Sequence, residues 1–187
     1  FHDLDLLRDD GLDRDGVVNV NHGYVHTPEQ TDWMPGIFEL ARAARHAGFA
    51  LVVATNQAGI ARGYYSEEEF FSYTRWMHQR FADEGAPLLA TYYCPHHPQA
   101  GLGELGRNCC CRKPQPGMLL AAAGHWRLDL GASALIGDQA SDMAAAAAAG
   151  IGLSVMVRGV GLAAAAAAIV ALQVPEADAS QHGISWR

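Results

Sequence analysis

Two carboxylates stand two residues apart in the segment Asp13-Arg14-Asp15-Gly16. In an extended chain such side chains leave on the same side, so Asp13 and Asp15 are placed to share one cation. Gly16 permits a tight turn directly after them, and ligand sites of open α/β sheets lie where strands end in this way. The alternative interpretation is an acidic surface turn, because charged residues are common in exposed loops.

Further polar residues follow segments that have the apolar composition of buried strands. They are Thr55, Asn56 and Gln57 after one strand, Arg112 and Lys113 in a later loop, and Asp138 with Asp142 after another strand. Together they offer a hydroxyl, amides, cations and carboxylates. When each residue is taken alone, a simpler interpretation exists: Lys113 is a surface lysine exposed to solvent, and Thr55 is a helix cap or a strand-end residue.

A second group of residues has the spacing of a metal site. Cys94-x-His96 and Cys109-x-Cys111 are separated by 12 residues, and four such ligands in two close pairs suit a tetrahedral structural Zn²⁺. The segment between them is rich in Gly and Pro and longer than most structureless loops, so a bound metal would order it. The alternative is a mobile loop with incidental cysteines, and His97 and Cys110 compete as ligands.

The elements that must position these residues alternate between helix and strand. Residues 49–54 run apolar without alternation, as in a strand covered on both faces, and Ser66 with Glu69 forms a capping box before a helix to Ala82. The remaining predicted helices are 37–48, one starting at 116 and 143–149, and the remaining strands are 88–93, 134–137 and 151–157. This pattern predicts an α/β fold, a three-layer Rossmann-like parallel sheet with helices on both faces.

The composition excludes several classes of protein. Half of the 187 residues are hydrophobic and 18% are charged, which predicts one folded domain over residues 1–187. The net charge of −7 opposes binding to nucleic acid and to anionic membrane surfaces. No apolar run approaches the ~20 residues of a membrane span. The first residues also lack the cationic start of a signal peptide, so we expect a cytoplasmic protein.

The order of the motifs resembles that of the haloacid-dehalogenase-like (HAD) phosphatases. Across residues 13–142 the pattern runs D-x-D, T-N-Q, K-P and G-D-x-x-x-D. In more detail the chain resembles the heptose bisphosphate phosphatase family, with the histidinol-phosphate phosphatases as near relatives. The stretches that carry this finer resemblance are 12–16 (LDRDG), 22–26 (HGYVH), 55–63 (TNQAGIARG), 92–98 (YYCPHHP) and 111–114 (CRKP).

The resemblance implies a Mg²⁺-dependent phosphatase without a large cap domain. Asp13 is then the nucleophile that forms an aspartyl phosphate, and Asp15 protonates the leaving oxygen and later activates water. The resemblance also implies that Asp13, the Asp15 backbone carbonyl and Asp138 hold Mg²⁺. Thr55 and Lys113 would hold the phosphoryl oxygens.

The resemblance further implies the residues that bind the sugar and the zinc. The expected substrate contacts are Asn21, His22, Gly23, Tyr24, Asn56, Gln57, Arg62 and Arg112. The two arginines are candidates for the phosphate that is not hydrolysed, since guanidinium binds phosphate bidentately. The implied zinc ligands are Cys94, His96, Cys109 and Cys111, within a loop spanning 94–111. Zinc there would position Arg112 and Lys113 over the phosphate pocket, and Asp142 would support the site without touching substrate.

The function implied is hydrolysis of the 7-phosphate of a heptose 1,7-bisphosphate, in ADP-heptose supply for lipopolysaccharide, by a monomer. One alternative is a histidinol-phosphate phosphatase, against which the loop 22–26 argues. Another is a catalytically inactive, zinc-stabilised binding protein.

Three features depart from the family pattern. Residues 8–10 (Arg-Asp-Asp) place charges directly before the nucleophile, so we expect that this segment is not an ordinary central strand. Gln139 stands where the heptose enzymes carry Lys. The alanine runs 144–149 and 163–168 favour helix but specify no packing partner.

Overall fold

Five parallel strands form one sheet in the computed structural model, which describes residues 8–12, 14–158 and 161–172. The strands are β1 (Arg8–Leu12), β2 (Phe49–Asn56), β3 (Leu88–Cys94), β4 (Ala134–Gly137) and β5 (Leu153–Met156). They lie side by side in the order β3-β2-β1-β4-β5, and every pairing is parallel. The predicted parallel sheet is therefore confirmed.

The first strand, however, corrects the sequence prediction. β1 lies at the centre of the sheet, where all five of its residues pair with β2 and residues 10–12 also pair with β4. The expectation that the charges at positions 8–10 prevent an ordinary central strand is wrong for the backbone. Strand pairing uses backbone N–H and C=O groups, which every one of these residues has, and two neighbouring strands supply partners for them.

Helices cover both faces of this sheet. They are α1 (Ile37–His46), α2 (Ala58–Ala61), α3 (Glu67–Asp83), α4 (Gly117–Trp126), α5 (Ala140–Ala149) and α6 (Gly161–Ala171). The side chains of β2 alternate between two cores: Phe49, Leu51 and Val53 pack with residues of α1, α3 and α6, whereas Val52 and Ala54 pack with residues of α4 and α5. This double burial explains why β2 reads as a continuous apolar run.

The helix starts follow from capping interactions. Ser66 and Glu69 form the predicted capping box at α3. The helix predicted from Met143 begins three residues earlier, because the Asp142 carboxylate accepts a hydrogen bond of 2.9 Å from the backbone N–H of Gln139 and caps the first turn. None of the helices in the described ranges combines the length and apolar character of a membrane-spanning segment.

The connections at the carboxyl ends of the strands carry the polar motifs. Between β1 and α1 the chain forms a single short 3-10 helix, Pro28–Gln30. Thr55 and Asn56 end β2, and Asp138 follows β4 directly. The polar residues thus meet at one edge of the sheet, as expected for ligand sites in this architecture.

Candidate active site

A cavity of about 430 Å³ opens at this edge of the sheet. Ten of the residues predicted from the sequence line it: Asp15, Asn21, Gly23, Tyr24, Thr55, Asn56, Gln57, Arg112, Lys113 and Asp142. Ala58, Tyr65, Gln139 and Ser141 complete the lining. Three predicted residues, His22, Arg62 and Asp138, are not among the lining residues, and Asp13 lies outside the described residues.

The carboxylate of Asp15 is held from two sides. Arg14 Nη2 donates to Asp15 Oδ2 at 2.6 Å, and Asn19 Nδ2 donates to Asp15 Oδ1 at 3.0 Å. Both donors are buried, and the Arg14 guanidinium also lies 5.3 Å from the ring centroid of Tyr73 and donates to the Val25 carbonyl. Burial acts to lower the pKa of Arg14, but the adjacent Asp15 carboxylate outweighs it and raises that pKa above its ordinary value.

Lys113 and Asp142 form a buried ion pair at the base of the cavity. Lys113 Nζ lies 2.8 Å from Asp142 Oδ1, with side chains only 3% and 1% exposed, and it also donates to the Ala54 carbonyl at 2.7 Å. Asn56 fixes the Lys113 backbone from the side, because its amide accepts from Lys113 N–H at 3.0 Å and donates to Lys113 C=O at 3.1 Å. Asn56, predicted as a substrate contact, therefore uses both ends of its amide to hold Lys113.

Thr55 is the end of a short hydrogen-bonded series. Tyr65 donates its hydroxyl proton to Gln57 Oε1 at 2.5 Å, and Gln57 Nε2 donates to Thr55 Oγ1 at 2.7 Å. Burial is the main cause that raises the pKa of Tyr65 to about 12, so its hydroxyl stays protonated at neutral pH. All three side chains are buried at the cavity wall.

Asp138 has the surroundings of a cation ligand. Its Oδ2 accepts from Gln139 Nε2 at 2.7 Å, whereas its buried Oδ1 has no hydrogen-bond partner within the described residues. Burial raises the pKa of Asp138 more than the hydrogen bond from Gln139 and the Arg158 guanidinium, 3.7 Å from Oδ2, lower it. Gly16 runs so close that a Cβ there would lie 2.5 Å from the Asp138 carboxyl carbon. The Asp15–Gly16 backbone and an under-satisfied carboxylate therefore meet, a donor set that fits Mg²⁺.

The predicted zinc ligands come together in space. The ligand atoms of Cys94, His96, Cys109 and Cys111 all lie within 4.8 Å of one another. The Sγ–Sγ distances are 3.2 to 3.5 Å, and His96 Nδ1 lies 3.7 Å from Cys94 Sγ and 3.6 Å from Cys111 Sγ. A tetrahedron with metal–sulfur bonds of about 2.3 Å has edges of about 3.8 Å, close to these separations. The group therefore fits a tetrahedral metal ion.

The two competing ligand candidates point elsewhere. His97 Nδ1 accepts from the backbone N–H groups of Gln99 and Ala100, at 3.3 and 3.1 Å, and Cys110 is exposed. Burial raises the pKa of the Cys94 thiol, and a bound cation would reverse that effect by favouring the thiolate.

The cysteine loop is connected to the cavity. Arg112 Nη1 donates to the His96 carbonyl at 3.1 Å, and Leu102 N–H donates to the Ala61 carbonyl at the end of α2 at 2.8 Å. Ordering this loop therefore orders Arg112, which lines the cavity next to Lys113.

Of the residues predicted to bind sugar, Asn21, Gly23 and Tyr24 line the cavity from one loop, whereas His22 and Arg62 do not line it. Tyr24 adopts a left-handed backbone conformation (φ 57°) and is half-exposed, and the Arg62 guanidinium lies 6.0 Å from its ring centroid. Asn21 Oδ1 accepts from Gly23 N–H at 3.0 Å and closes a turn. His22 turns away from the cavity, because its Nε2 lies 2.7 Å from Asp32 Oδ2.

Sequence reasoning missed four residues of the site. Arg14, Asn19 and Tyr65 each hold a predicted residue by a hydrogen bond, and Gly59 leaves the space that the Tyr65 ring fills, since a Cβ there would lie 2.2 Å from that ring. Of these four residues, only Arg14 has a sequence position that points to the site, because it stands between Asp13 and Asp15.

Comparison with known proteins identifies the family of this chain. The family model for HAD-hydrolase-like proteins matches residues 110–177. The chain is 50% identical over 135 residues to the D-glycero-β-D-manno-heptose-1,7-bisphosphate 7-phosphatase of Vibrio cholerae, covering 72% of this chain and 73% of that protein. It is 53% identical over 134 residues to the corresponding α-anomer phosphatase of Burkholderia mallei, covering 72% and 71%.

Solved structures show the same relationship. A putative HAD-like phosphatase from Mesorhizobium loti aligns with a TM-score of 0.79 at 31% identity, covering 91% of this chain and 90% of that one. The D,D-heptose 1,7-bisphosphate phosphatase of B. bronchiseptica, complexed with magnesium and phosphate, aligns with a TM-score of 0.76 at 30% identity, covering 88% and 99%.

Fold, motif order and site together define a HAD-like hydrolase. At this level of identity and coverage the chain belongs, within that class, to the D-glycero-D-manno-heptose 1,7-bisphosphate 7-phosphatase family.

Proposed function

We propose that this protein hydrolyses the 7-phosphate of D-glycero-D-manno-heptose 1,7-bisphosphate, a step in the supply of ADP-heptose for lipopolysaccharide. The observation that carries the proposal is the cavity in which Asp15, Thr55 and Lys113 face one another in a member of this family. Since relatives of nearly equal identity are named for the α and the β anomer, both are candidate substrates.

The proposed chemistry divides hydrolysis into two displacements at phosphorus. In the first, an Asp13 carboxylate oxygen bonds to phosphorus while the bond to the sugar oxygen breaks, and Asp15 gives that oxygen its proton. In the second, Asp15 takes a proton from water as the water oxygen bonds to phosphorus. The aspartyl phosphate then breaks, which releases inorganic phosphate and restores the Asp13 carboxylate.

Positive charge must offset the repulsion between these carboxylates and the phosphate. Lys113 and Thr55 would donate to the phosphoryl oxygens, and the hydrogen bonds of Lys113 to Ala54 and Asn56 keep it in place. Asp13, the Asp15 carbonyl and Asp138 would hold Mg²⁺, which when bound supplies further charge neutralisation.

The sugar and its second phosphate would occupy the rim. Asn21, Gly23, Tyr24, Arg62 and Arg112 remain the proposed contacts. The side chains of the other three predicted contacts are bonded within the protein: His22 to Asp32, Asn56 to Lys113, and Gln57 to Thr55 and Tyr65. Arg62 and Arg112 are the proposed ligands of the 1-phosphate because guanidinium groups bind phosphate bidentately. Gln139, which lines the cavity in place of a lysine, leaves this part of the site with one cation fewer.

The experiment that tests the proposal measures phosphate release with Mg²⁺ from both heptose bisphosphate anomers and from histidinol phosphate. Asp13→Asn is the inactive variant, and Asp83→Asn, the same change on the exposed end of α3, is its matched control. We expect preference for a heptose bisphosphate, loss of turnover in Asp13→Asn and full turnover in Asp83→Asn. Preference for histidinol phosphate would overturn the substrate, and equal turnover by both variants would overturn the covalent mechanism.

A cytoplasmic location and a monomeric state are part of the proposal. Cysteines placed as metal ligands suit a reducing compartment, which supports the location. Light scattering of the purified chain at the 20.0 kDa mass tests the monomer, and a mass of twice that value would contradict it.

A further inference from the structure

The wall of the cavity contains a series of buried polar groups that ends at Thr55, and its other members take no direct part in the proposed chemistry. It runs from Tyr65 through Gln57 to Thr55. Burying polar side chains costs free energy unless each of them is hydrogen-bonded, so a buried series of this kind indicates a specific role.

The direction of each hydrogen bond in the series is determined by chemistry. The Tyr65 hydroxyl lies within hydrogen-bond distance of Gln57 Oε1, and an amide oxygen can only accept. The Tyr65 proton is then available for Gln57 Oε1, which leaves Gln57 Nε2 as the end of the amide that faces Thr55. Thr55 Oγ1 accepts from that nitrogen, so its own proton is available to another acceptor.

The Tyr65 ring is fixed on both faces. The His26 ring stacks on it with centroids 4.5 Å apart and planes 13° apart, and the Gly59 backbone lies against it where any Cβ would clash. A fixed ring holds the Tyr65 hydroxyl at one point, where Gln57 Oε1 accepts its proton, so half a turn of the Gln57 amide would remove that acceptor. After such a rotation Thr55 would donate to Gln57 and present only lone pairs to a bound anion.

We infer that Tyr65 and Gln57 are positioning residues that fix the Thr55 hydroxyl as a hydrogen-bond donor to the phosphoryl group. This inference rests on the proposed phosphate-binding role of Thr55. Gln57, expected from the resemblance to contact substrate, acts through Thr55 instead.

A double-mutant cycle tests the inference. Tyr65→Phe removes one hydroxyl from the series, and Thr55→Val removes its end point. We expect Tyr65→Phe to lower kcat/KM by about three- to tenfold and to raise the inhibition constant of inorganic phosphate by the same factor. This factor corresponds to the net free energy of one hydrogen bond. In the Thr55→Val background the same change should alter either constant by less than about twofold. The matched control is Tyr64→Phe, which removes the hydroxyl of an exposed neighbour and should leave both constants unchanged.

Several results would overturn the inference. One is an equal loss from Tyr65→Phe in both backgrounds, which is the result of a general structural role. Another is a Tyr65→Phe variant that behaves like Tyr64→Phe. Thermal unfolding of each variant checks folding. If Tyr65→Phe does not fold, Gln57→Met replaces it in the same cycle.

The failure of the proposed function is a separate result. If the wild-type chain turns over none of the sugar phosphates, the cycle is measured as binding of inorganic phosphate in the presence of Mg²⁺. Coupling between Tyr65 and Thr55 in that measurement supports the series even when the substrate is wrong. Additive effects of Tyr65→Phe and Thr55→Val on phosphate binding would show that Tyr65 does not act through Thr55, whatever the substrate is.

Discussion

Lys113 and Asp142 illustrate how much single residues depend on a partner. Each is a charged group that is almost fully buried, and each would be costly without the other. Removing one member of a buried ion pair leaves an uncompensated charge, which is more damaging than the net value of the pair.

We predict that Asp142→Ala lowers the free energy of unfolding by about 3–5 kcal/mol. The variant leaves Lys113 buried without its counter-charge and removes the acceptor of the Gln139 N–H at the start of α5. Urea unfolding measures the change, with Asp83→Ala on the exposed end of α3 as the control. A loss no larger than that of the control would show that Lys113 finds another partner.

A second residue-scale prediction concerns Gly16. Its φ of 98° and the 2.5 Å approach to Asp138 leave no room for a methyl group. Gly16→Ala should therefore raise the Mg²⁺ concentration for half-maximal activity by about 10- to 100-fold, as do changes beside metal ligands. Gly124→Ala inside α4, where nothing lies within 4 Å, should leave the requirement unchanged. The same requirement in both variants would remove Asp138 from the metal site.

The sequence allowed the chemistry-bearing residues to be predicted better than those that hold them. Asp15, Thr55 and Lys113 belong to motifs with a fixed order, and the structure brings all three to one cavity. Asn19 and Tyr65 belong to no spacing pattern, because their partners are set by the fold and not by sequence distance. Tyr65 reaches Gln57 because Gly59 has no side chain in the space that the Tyr65 ring fills.

At the scale of elements, the cysteine loop connects a metal site to the cavity. Four ligand atoms, the bond from Arg112 to the His96 carbonyl and the bond from Leu102 to Ala61 hold a loop that has little core of its own. Loss of the metal should therefore loosen Arg112 without unfolding the sheet.

We predict one zinc ion per chain in the wild type and in Cys110→Ser, and none in Cys111→Ser. Cys110 is exposed and outside the cluster, whereas Cys111 Sγ lies within 3.3 Å of both Cys94 Sγ and Cys109 Sγ. Elemental analysis of protein purified without chelator measures the content. We also expect limited proteolysis to cleave Cys111→Ser within 95–110. Zinc retained by Cys111→Ser would contradict the ligand assignment.

Most elements were predictable because their signals are local. The uninterrupted apolar run of β2 and the Ser66 capping box needed no knowledge of the rest of the chain. β1 was not predictable, because its place is set by the backbone groups of β2 and β4 on either side of it, whatever its own side chains are. The sequence pattern does not predict the first turn of α5, because that turn depends on the hydrogen bond that the Asp142 carboxylate accepts from the Gln139 backbone N–H.

For the whole molecule, stability should fall on mild acidification. His78 is a half-buried residue of α3 that faces β3, where its Nε2 lies 2.8 Å from Thr91 Oγ1, and burial lowers its pKa in the folded state. The unfolded chain then binds the proton more readily than the folded chain at pH values near and below about 6.5. The stabilising contribution of neutral His78 is therefore complete above that range and is lost as the pH falls through it.

We predict that His78→Gln, which keeps a hydrogen-bonding group, makes the urea midpoint change less between pH 7.5 and 5.5 than it does in the wild type. His46→Gln, at the exposed end of α1, is the control and should retain the wild-type dependence. Equal dependence in all three proteins would mean that His78 titrates in the folded chain as it does in the unfolded one.

The register of the three central strands determines which changes in chain length the protein tolerates. Leu12 pairs with Val53 on one side and with Ile136 on the other, and Thr55 and Asp138 each come two residues after that row. A deletion or insertion of one residue in β2 or β4 would turn these side chains to the opposite face of the sheet and exchange the two cores. Apolar residues within the strands can replace one another at modest cost. The number of residues between the start of a strand and the catalytic edge has no such freedom, so insertions and deletions among homologues should fall outside these strands.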